Sequence, residues 1–167
     1  MSWISKRGPA LHAWLILLVT IPLMSAAGRP LLNLLRGMMP IEWLALAMFL
    51  ASLMLLWACG IWVRRQGGGI RAALLLAAWV IPLFLVLPLT LPVVEERIHF
   101  LLFGSFGFFS SLLFPLPVAV AVGLLASGLD ELWQWVLPNR VGDWRDVGIN
   151  AVAAIGGTVT ARLGARR

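Results

Sequence analysis

The residues able to do chemistry gather between positions 95 and 150. Glu95 and Glu96 stand four and three residues before His99, Asp130 and Glu131 four and three before Gln134, and Asp146 four before Asn150. On a helix, residues three or four apart share a face, so each set presents its polar groups together. Imidazole titrates near pH ~6.5, which suits His99 to general acid–base work, with Glu96 orienting the ring. Asp130 and Glu131 are suited to hold a proton or, as oxygen-rich ligands, a hard divalent cation. Arg140 and Arg145 follow, and the planar guanidinium fork grips phosphate or carboxylate. A divalent metal is the cofactor this set admits. Its presence stays open, because no compact ligand run such as H-E-x-x-H specifies it.

What must position these groups is a membrane bundle. Of 167 residues, 61% are hydrophobic and 12% charged, where a soluble domain carries about a quarter charged residues. Mean hydropathy is +0.95. Several uncharged runs reach the roughly 20 residues of one bilayer crossing. The expected fold class is all-α, a polytopic integral membrane helix bundle of five to six transmembrane helices. Candidate spans are 8–28, 43–63, 72–94, two within 98–129, and 147–161. Pro82 and Pro88 predict kinks in the third, and Pro115 with Pro117 divides the run 98–129 into a tight hairpin. Segment 29–40 is too short and too charged to cross, and is assigned to an interface. Residues 147–161 would form a helix of about 22 Å, short of a ~30 Å hydrocarbon core, so the sixth span is the marginal one. About three spans thus fall in 1–91, and about three more, with the polar residues, in 92–163.

Ser25-Ala26-Ala27 has the small-residue character that precedes signal cleavage, but with more spans following, a retained first span is the simpler reading. Either leaves the chain start in the cytoplasm. Six spans then put Lys6, Arg7, Arg64, Arg65, Arg71, Arg162, Arg166 and Arg167 inside, against Arg29, Arg36, Arg97, Arg140 and Arg145 outside, the direction of the positive-inside rule. All seven acids, from Glu42 to Asp146, fall on the outer half.

Asp130 lies about two helical turns before Pro138, roughly 10 Å inward. A charge at the bilayer centre costs about 2.5–3.5 kcal/mol, and less toward the interface. Adjacent acids at that depth therefore need partners, protons, a metal or a wet cavity. Structural explanations stand beside the functional one. Glu95, Glu96 and His99 also fit an interfacial flank, Asp146 fits a cap of the last span, and Arg140 with Arg145 fits a neutralising ion-pair network. Gly123 with Ser127, and Ala153 with Gly157, would let the last helices approach closely. The nine tryptophans read mostly as interfacial anchors. His12 reads as an isolated polar residue in the first span, and the single cysteine, Cys59, as a packing residue.

Glu95–Phe108, EERIHFLLFGSFGF, and Gly123–Gly157, GLLASGLDELWQWVLPNRVGDWRDVGINAVAAIGG, resemble the VanZ-like membrane family. Its pattern, an E/K-x-x-H-F start, DE-x-x-Q, a P-x-R turn and D-V-x-x-N before small residues, falls here on Glu96 and His99, on Asp130, Glu131 and Gln134, on Pro138 and Arg140, and on Asp146 and Asn150. The resemblance covers roughly 92–160. Phe103 stands where an aromatic, often tyrosine, usually follows the histidine, and the turn reads Pro138-Asn139-Arg140. The resemblance implies a bacterial cytoplasmic (inner) membrane protein acting at the cell envelope. The family is named for a glycopeptide-resistance accessory protein that lowers susceptibility to teicoplanin.

Three functions remain in view. The first is an enzyme on a lipid-linked or cell-envelope glycan substrate at the outer leaflet, with membrane lipids as its surroundings. The second is a small proton-coupled transporter or lipid flippase, for which no internal repeat is visible. The third is a non-catalytic membrane partner of envelope-synthesis enzymes. A serine hydrolase finds no support, since no Gly-x-Ser-x-Gly elbow surrounds Ser105, Ser110 or Ser111. Nor does the net charge of +6 point to nucleic acid, because the basic residues sit in short patches between apolar runs without interleaved aromatics.

Overall fold

The computed structural model describes residues 3–67, 69–138, 140 and 142–165. The side chains of Lys6, Arg7 and Glu95, together with Asn139, Arg166 and Arg167, lie outside the described residues. All regular structure among the described residues is helical. It comprises α1 (Trp3–Met38), α2 (Ile41–Arg65), α3 (Ile70–Ile81), α4 (Leu87–Thr90), α5 (Arg97–Leu113), α6 (Leu116–Val136) and α7 (Trp144–Ala165). Five stretches, with α3 and α4 counted as one, are long and apolar enough to cross a bilayer. The chain is a multi-pass membrane protein.

The first helix differs from expectation. Instead of a span ending at Gly28 followed by an interfacial segment, α1 is a single 36-residue helix that passes through Pro9, Pro22 and Pro30. At 1.5 Å per residue it is about 54 Å long. Arg29, Asn33 and Arg36 do not end it; these exposed residues line a cavity between the helices. The stretch Ser25-Ala26-Ala27 lies within this helix, with Ser25 buried.

The third span contains the expected irregularity. Pro82–Val86 forms a π turn in which Leu87 N–H reaches back to the carbonyl of Pro82. Prolines that cannot donate leave carbonyls of the preceding turn open, and the wider turn accommodates the break. The 98–129 run divides as Pro115 requires. Phe114 is extended, and Arg162 Nη2 donates to its carbonyl at 2.8 Å, which places a cation on the C-terminal end of α5.

The marginal helix is α5 rather than the last one. It has 17 residues, about 25 Å, whereas α7 has 22. A short helix is tolerable here because α5 is the hub, packed by α1, α6 and, most closely, α7. Glycines create that proximity. A Cβ on Gly107 would overlap the Ala154 carbonyl, one on Gly157 the Gly104 carbonyl, and one on Gly104 the Phe84 ring. Thr158 Oγ1 then reaches the Gly107 carbonyl at 3.1 Å. Gly123 brings α6 against the Ala154 methyl, so the small-residue faces do bring these helices together. Around this seam one core runs from Ile21, Cys59, Val63 and Val80 to Phe100, Phe103, Phe106 and Ala153.

Some tryptophans depart from the interfacial reading. Trp14 donates to Ser110 Oγ at 2.9 Å and stacks on Phe106, Trp62 meets Phe108 and Gly164, and Trp79 donates to the Gly156 carbonyl. Trp43, Trp57 and Trp144 remain exposed.

Candidate functional site

Helix starts and ends converge at one end of the bundle. The start of α7 is made by Asp143, whose Oδ1 accepts from Arg145 N–H at 3.0 Å. Asp143 is therefore the N-cap, and the capping role considered for Asp146 falls to it. Arg145 then clamps Glu96 at the entrance to α5 through two parallel bonds of 2.7 and 2.8 Å. Both oxygens of Glu96 are engaged in this ion pair, and so are both terminal nitrogens of Arg145. From the sequence, Glu96 is expected to orient His99 and Arg145 to hold substrate. In the structure the two hold α5 and α7 together.

The partner of His99 is Asn150. Nδ1 of the ring meets Asn150 Oδ1 at 2.6 Å. A carbonyl oxygen only accepts, so Nδ1 carries the ring proton and Nε2 is the basic nitrogen of the neutral form. Asn150 is fully buried, and its Nδ2 has no partner among the described residues. Phe103, the residue in place of the usual tyrosine, is buried and lies parallel to the imidazole with ring centroids 6.2 Å apart.

The paired acids of α6 separate in role. Asp130, Glu131 and Gln134 are 4%, 2% and 3% exposed. The Gln134 amide bridges them, donating to Asp130 Oδ2 at 3.2 Å and Glu131 Oε1 at 2.9 Å. The other oxygen of Glu131 accepts from the backbone N–H of Asp143 at 3.0 Å, tying the connection before α7 to α6. The other oxygen of Asp130 accepts from the Ser25 hydroxyl of α1. Asp130 lines the cavity and Glu131 does not. The joint proton- or cation-holding role expected of the pair is thus divided. Among the described residues, no three His, Cys, Asp or Glu side chains come close enough to hold a metal ion.

The cavity measures about 580 Å³. From α5 it receives Glu96 and His99, from α6 Asp130 and Gln134, from the connection Arg140, and from α7 Asp146. His99 is within electrostatic reach of both Asp130 and Asp146. The fourth wall comes from α1, which supplies Ser25, Arg29, Asn33 and Arg36. Spacings of four, four and three put these on one helical stripe. In the sequence the charge at Arg29 reads as the end of a span and hides them; the same spacing, followed through Gly28, is the signal that finds them.

Arg140 is half-buried, and its Nε has no hydrogen-bond partner among the described residues. Burial, and next the charge of Arg29, lower its pKa from the ordinary value. An arginine starts so high that it stays protonated. The site therefore combines an imidazole with a free basic nitrogen, buried carboxylates and closely placed guanidinium groups.

A family model described as VanZ/LLP1 matches residues 11–164. The match extends the resemblance seen over 92–160 to the first helices, including the α1 stripe. No curated protein and no solved structure matches the chain.

Proposed function

The chain belongs to the VanZ/LLP1 family, and from that premise we propose that it acts on a lipid-linked or cell-envelope substrate held in the α1/α5/α6/α7 cavity. His99 is its general acid–base group. The observation that carries the reading is the cavity itself, in which apolar walls meet His99, Asp130, Asp146 and Arg140. A purely structural ion-pair network would fill its own space; this one surrounds a volume in the range of small-molecule sites, about 300–1,000 Å³. Asn150 holds the ring so that Nε2 can take or give a proton, and the two aspartates stabilise the imidazolium that results. Arg140 steadies an anionic group of the substrate.

The site belongs on the extracytoplasmic side of the bacterial inner membrane. Arg64, Arg65 and Arg162 lie at the opposite end of the bundle, where Trp62 joins the ends of α2 and α7, in keeping with the positive-inside rule. Modulation of glycopeptide (teicoplanin) susceptibility is one outcome of such a role and is read directly as a change in inhibitory concentration.

Proton-coupled transport or lipid flipping is the second reading. It is favoured by the π turn Pro82–Val86, whose Leu83 and Phe84 press on Gly156 and Gly104 of the site-forming helices. Such turns often mark functional positions.

One comparison tests the proposal. Wild type and the variants His99→Gln and Asp130→Asn are overproduced at matched levels, and total envelope lipids are compared by mass spectrometry. A lipid or lipid-linked glycan that changes with wild type alone is the expected result. Identical profiles overturn the enzymatic reading, and leaflet-resolved lipid labelling then tests transport.

A further inference from the structure

Two opposite charges line the cavity without closing on each other. The guanidinium of Arg140 lies within electrostatic reach of Asp130, Glu131 and Asp146. Among the described residues none of the three forms an ion pair with it, and its Nε has no hydrogen-bond partner. Each gap is therefore wider than the about 4 Å of an ion pair. Two of these carboxylates are engaged elsewhere. Asp130 takes the Ser25 hydroxyl and the Gln134 amide, and Glu131 takes the Gln134 amide and the Asp143 N–H. Asp146 differs. It is half-buried and lines the same cavity, and among the described residues no hydrogen bond or ion pair reaches its carboxylate. Glu96 and Arg145, both near enough to influence it, are spent on each other. Arg29 and Arg36 of the α1 wall have interactions of their own within the protein. Arg140 and Asp146 are thus the unspent pair.

We infer that Arg140 and Asp146 are the two ends of a receptor for a dipolar group, the guanidinium taking an acid group of the ligand and the carboxylate its primary ammonium. It rests on the proposed function and names the class of substrate, a zwitterion whose two charges are a few bonds apart.

An ion of one sign fits poorly. An anion at Arg140 is repelled by Asp146 and Asp130, and a cation at Asp146 is repelled by Arg140; like charges brought together in a half-buried site are costly. A dipolar group meets an opposite charge at each end and carries no net charge into the membrane region, where charge is expensive. The guanidinium fork suits phosphate or carboxylate alike. A carboxylate only accepts, so the cationic end must bring N–H groups, as a primary ammonium does and a quaternary one does not. The open gap sets the length: acid and amine stand further apart than a direct ion pair, as the two-carbon link of ethanolamine phosphate holds them. His99 lines the same cavity within electrostatic reach of Asp146, so an amine held there lies in the neighbourhood of the proposed acid–base group.

The test reads binding without turnover. The full chain in non-ionic dodecyl maltoside micelles is titrated by calorimetry, with heats into empty micelles subtracted. Dihexanoyl phosphatidylethanolamine is compared with dihexanoyl phosphatidylethanol, which lacks the amine, and with hexylamine, which lacks the phosphate. The dipolar lipid is expected to bind on the order of tenfold tighter than either, about 1.4 kcal/mol. Variants are read by their order of preference, which a general loss of structure does not reverse. Asp146→Asn is expected to favour phosphatidylethanol, Arg140→Gln to favour hexylamine, and Arg64→Gln to keep the wild-type order. Dihexanoyl phosphatidylcholine, without an N–H, is expected to lose most of the advantage. Free O-phosphoethanolamine and β-alanine carry the dipole without acyl chains: binding equal to that of the lipid supports the receptor with a soluble zwitterion as its ligand, and weaker binding supports it with a lipid headgroup.

A wild type that binds phosphatidylethanol as tightly as phosphatidylethanolamine overturns the inference. So does an Asp146→Asn variant that keeps the wild-type order, or a wild type that binds none of the dipolar ligands. Failure here is separable from failure of the proposed function. Selective binding without a wild-type-specific lipid change overturns the chemistry and leaves the dipolar receptor standing. A wild-type-specific change without selective binding does the reverse.

Discussion

The bond from Ser25 to Asp130 decides whether α1 is part of the site, and removing it has a calculable effect. Ser25→Ala deletes one hydroxyl in a buried position and leaves Asp130 Oδ1 without its donor. In water-soluble proteins a hydrogen bond to a charged group contributes about 1.5–3 kcal/mol. Between transmembrane helices measured values average about 0.6 and reach about 1.7 kcal/mol, because alternative partners exist in the unfolded state. Asp130 retains one such alternative here, the Gln134 amide at 3.2 Å, but that bond is long and shared with Glu131. An effect of about 1–2 kcal/mol is expected, a factor of roughly 5–30 in the folded-to-unfolded ratio. The assay is reversible unfolding in mixed detergent micelles, arranged as a double-mutant cycle of Ser25→Ala and Asp130→Ala. The cycle removes the cost of the cavity that Asp130→Ala leaves, which a single variant would confuse with the bond. Independent sites add to within about 0.3–0.5 kcal/mol. A coupling energy inside that margin would refute the reasoning, and with it the fourth wall of the cavity.

Three further outcomes follow from the geometry. Gly107→Ala drives a methyl into the backbone carbonyl of Ala154 and is expected to cost about 1–3 kcal/mol or more by overpacking, read in the same unfolding assay; Gly128→Ala, which meets nothing, serves as the neutral control. Nitrogen NMR of labelled histidine is expected to find neutral His99 protonated on Nδ1, and Asn150→Leu to shift it toward the Nε2–H form; an unchanged tautomer ratio would remove Asn150 from its orienting role. In a Cys59→Ser background, a membrane-impermeant thiol reagent applied to intact cells is expected to label Asp143→Cys and to spare Arg64→Cys, and the opposite pattern would reverse the orientation.

The apolar runs made the class of fold legible, because twenty uncharged residues have few other uses. The hairpin at Pro115 was legible for a local reason, since the residue before proline is driven to extended backbone. Helix α1 was not. Charge inside a hydrophobic run is ambiguous: it marks a span's end when it meets lipid and a functional face when it meets protein. Only the fold says which, and here Arg29 and Arg36, although exposed, line the cavity. The same ambiguity explains Glu96 and Arg145. Helical spacing put Glu96 on the face of His99, but a carboxylate has several partners within reach, and the cap at Asp143 places Arg145 opposite it. Asp143 itself, three residues before the acid that reading favoured, was indistinguishable from a loop residue until the start of α7 was located.

Polar residues within the described bundle thus divide by what they touch. Glu96, Arg145, Glu131 and Asp143 join elements to one another, each carboxylate oxygen of the two glutamates already holding a donor. His99, Asp130, Asp146, Arg140 and the α1 stripe line the cavity, where His99 and Asp130 are themselves held by Asn150 and Ser25. The first group makes the second affordable. Glu131 and Glu96 anchor the α7 end of the connection between α6 and α7, through the Asp143 N–H and the Arg145 guanidinium, and this frame holds Arg140 half-buried in the cavity wall. A guanidinium kept in place by contacts other than those of its ligand is preorganised for an anionic group. Loosening the frame, by Glu96→Gln or Glu131→Gln, should therefore weaken binding of the substrate's anionic group at Arg140, although neither side chain is the one proposed to hold it.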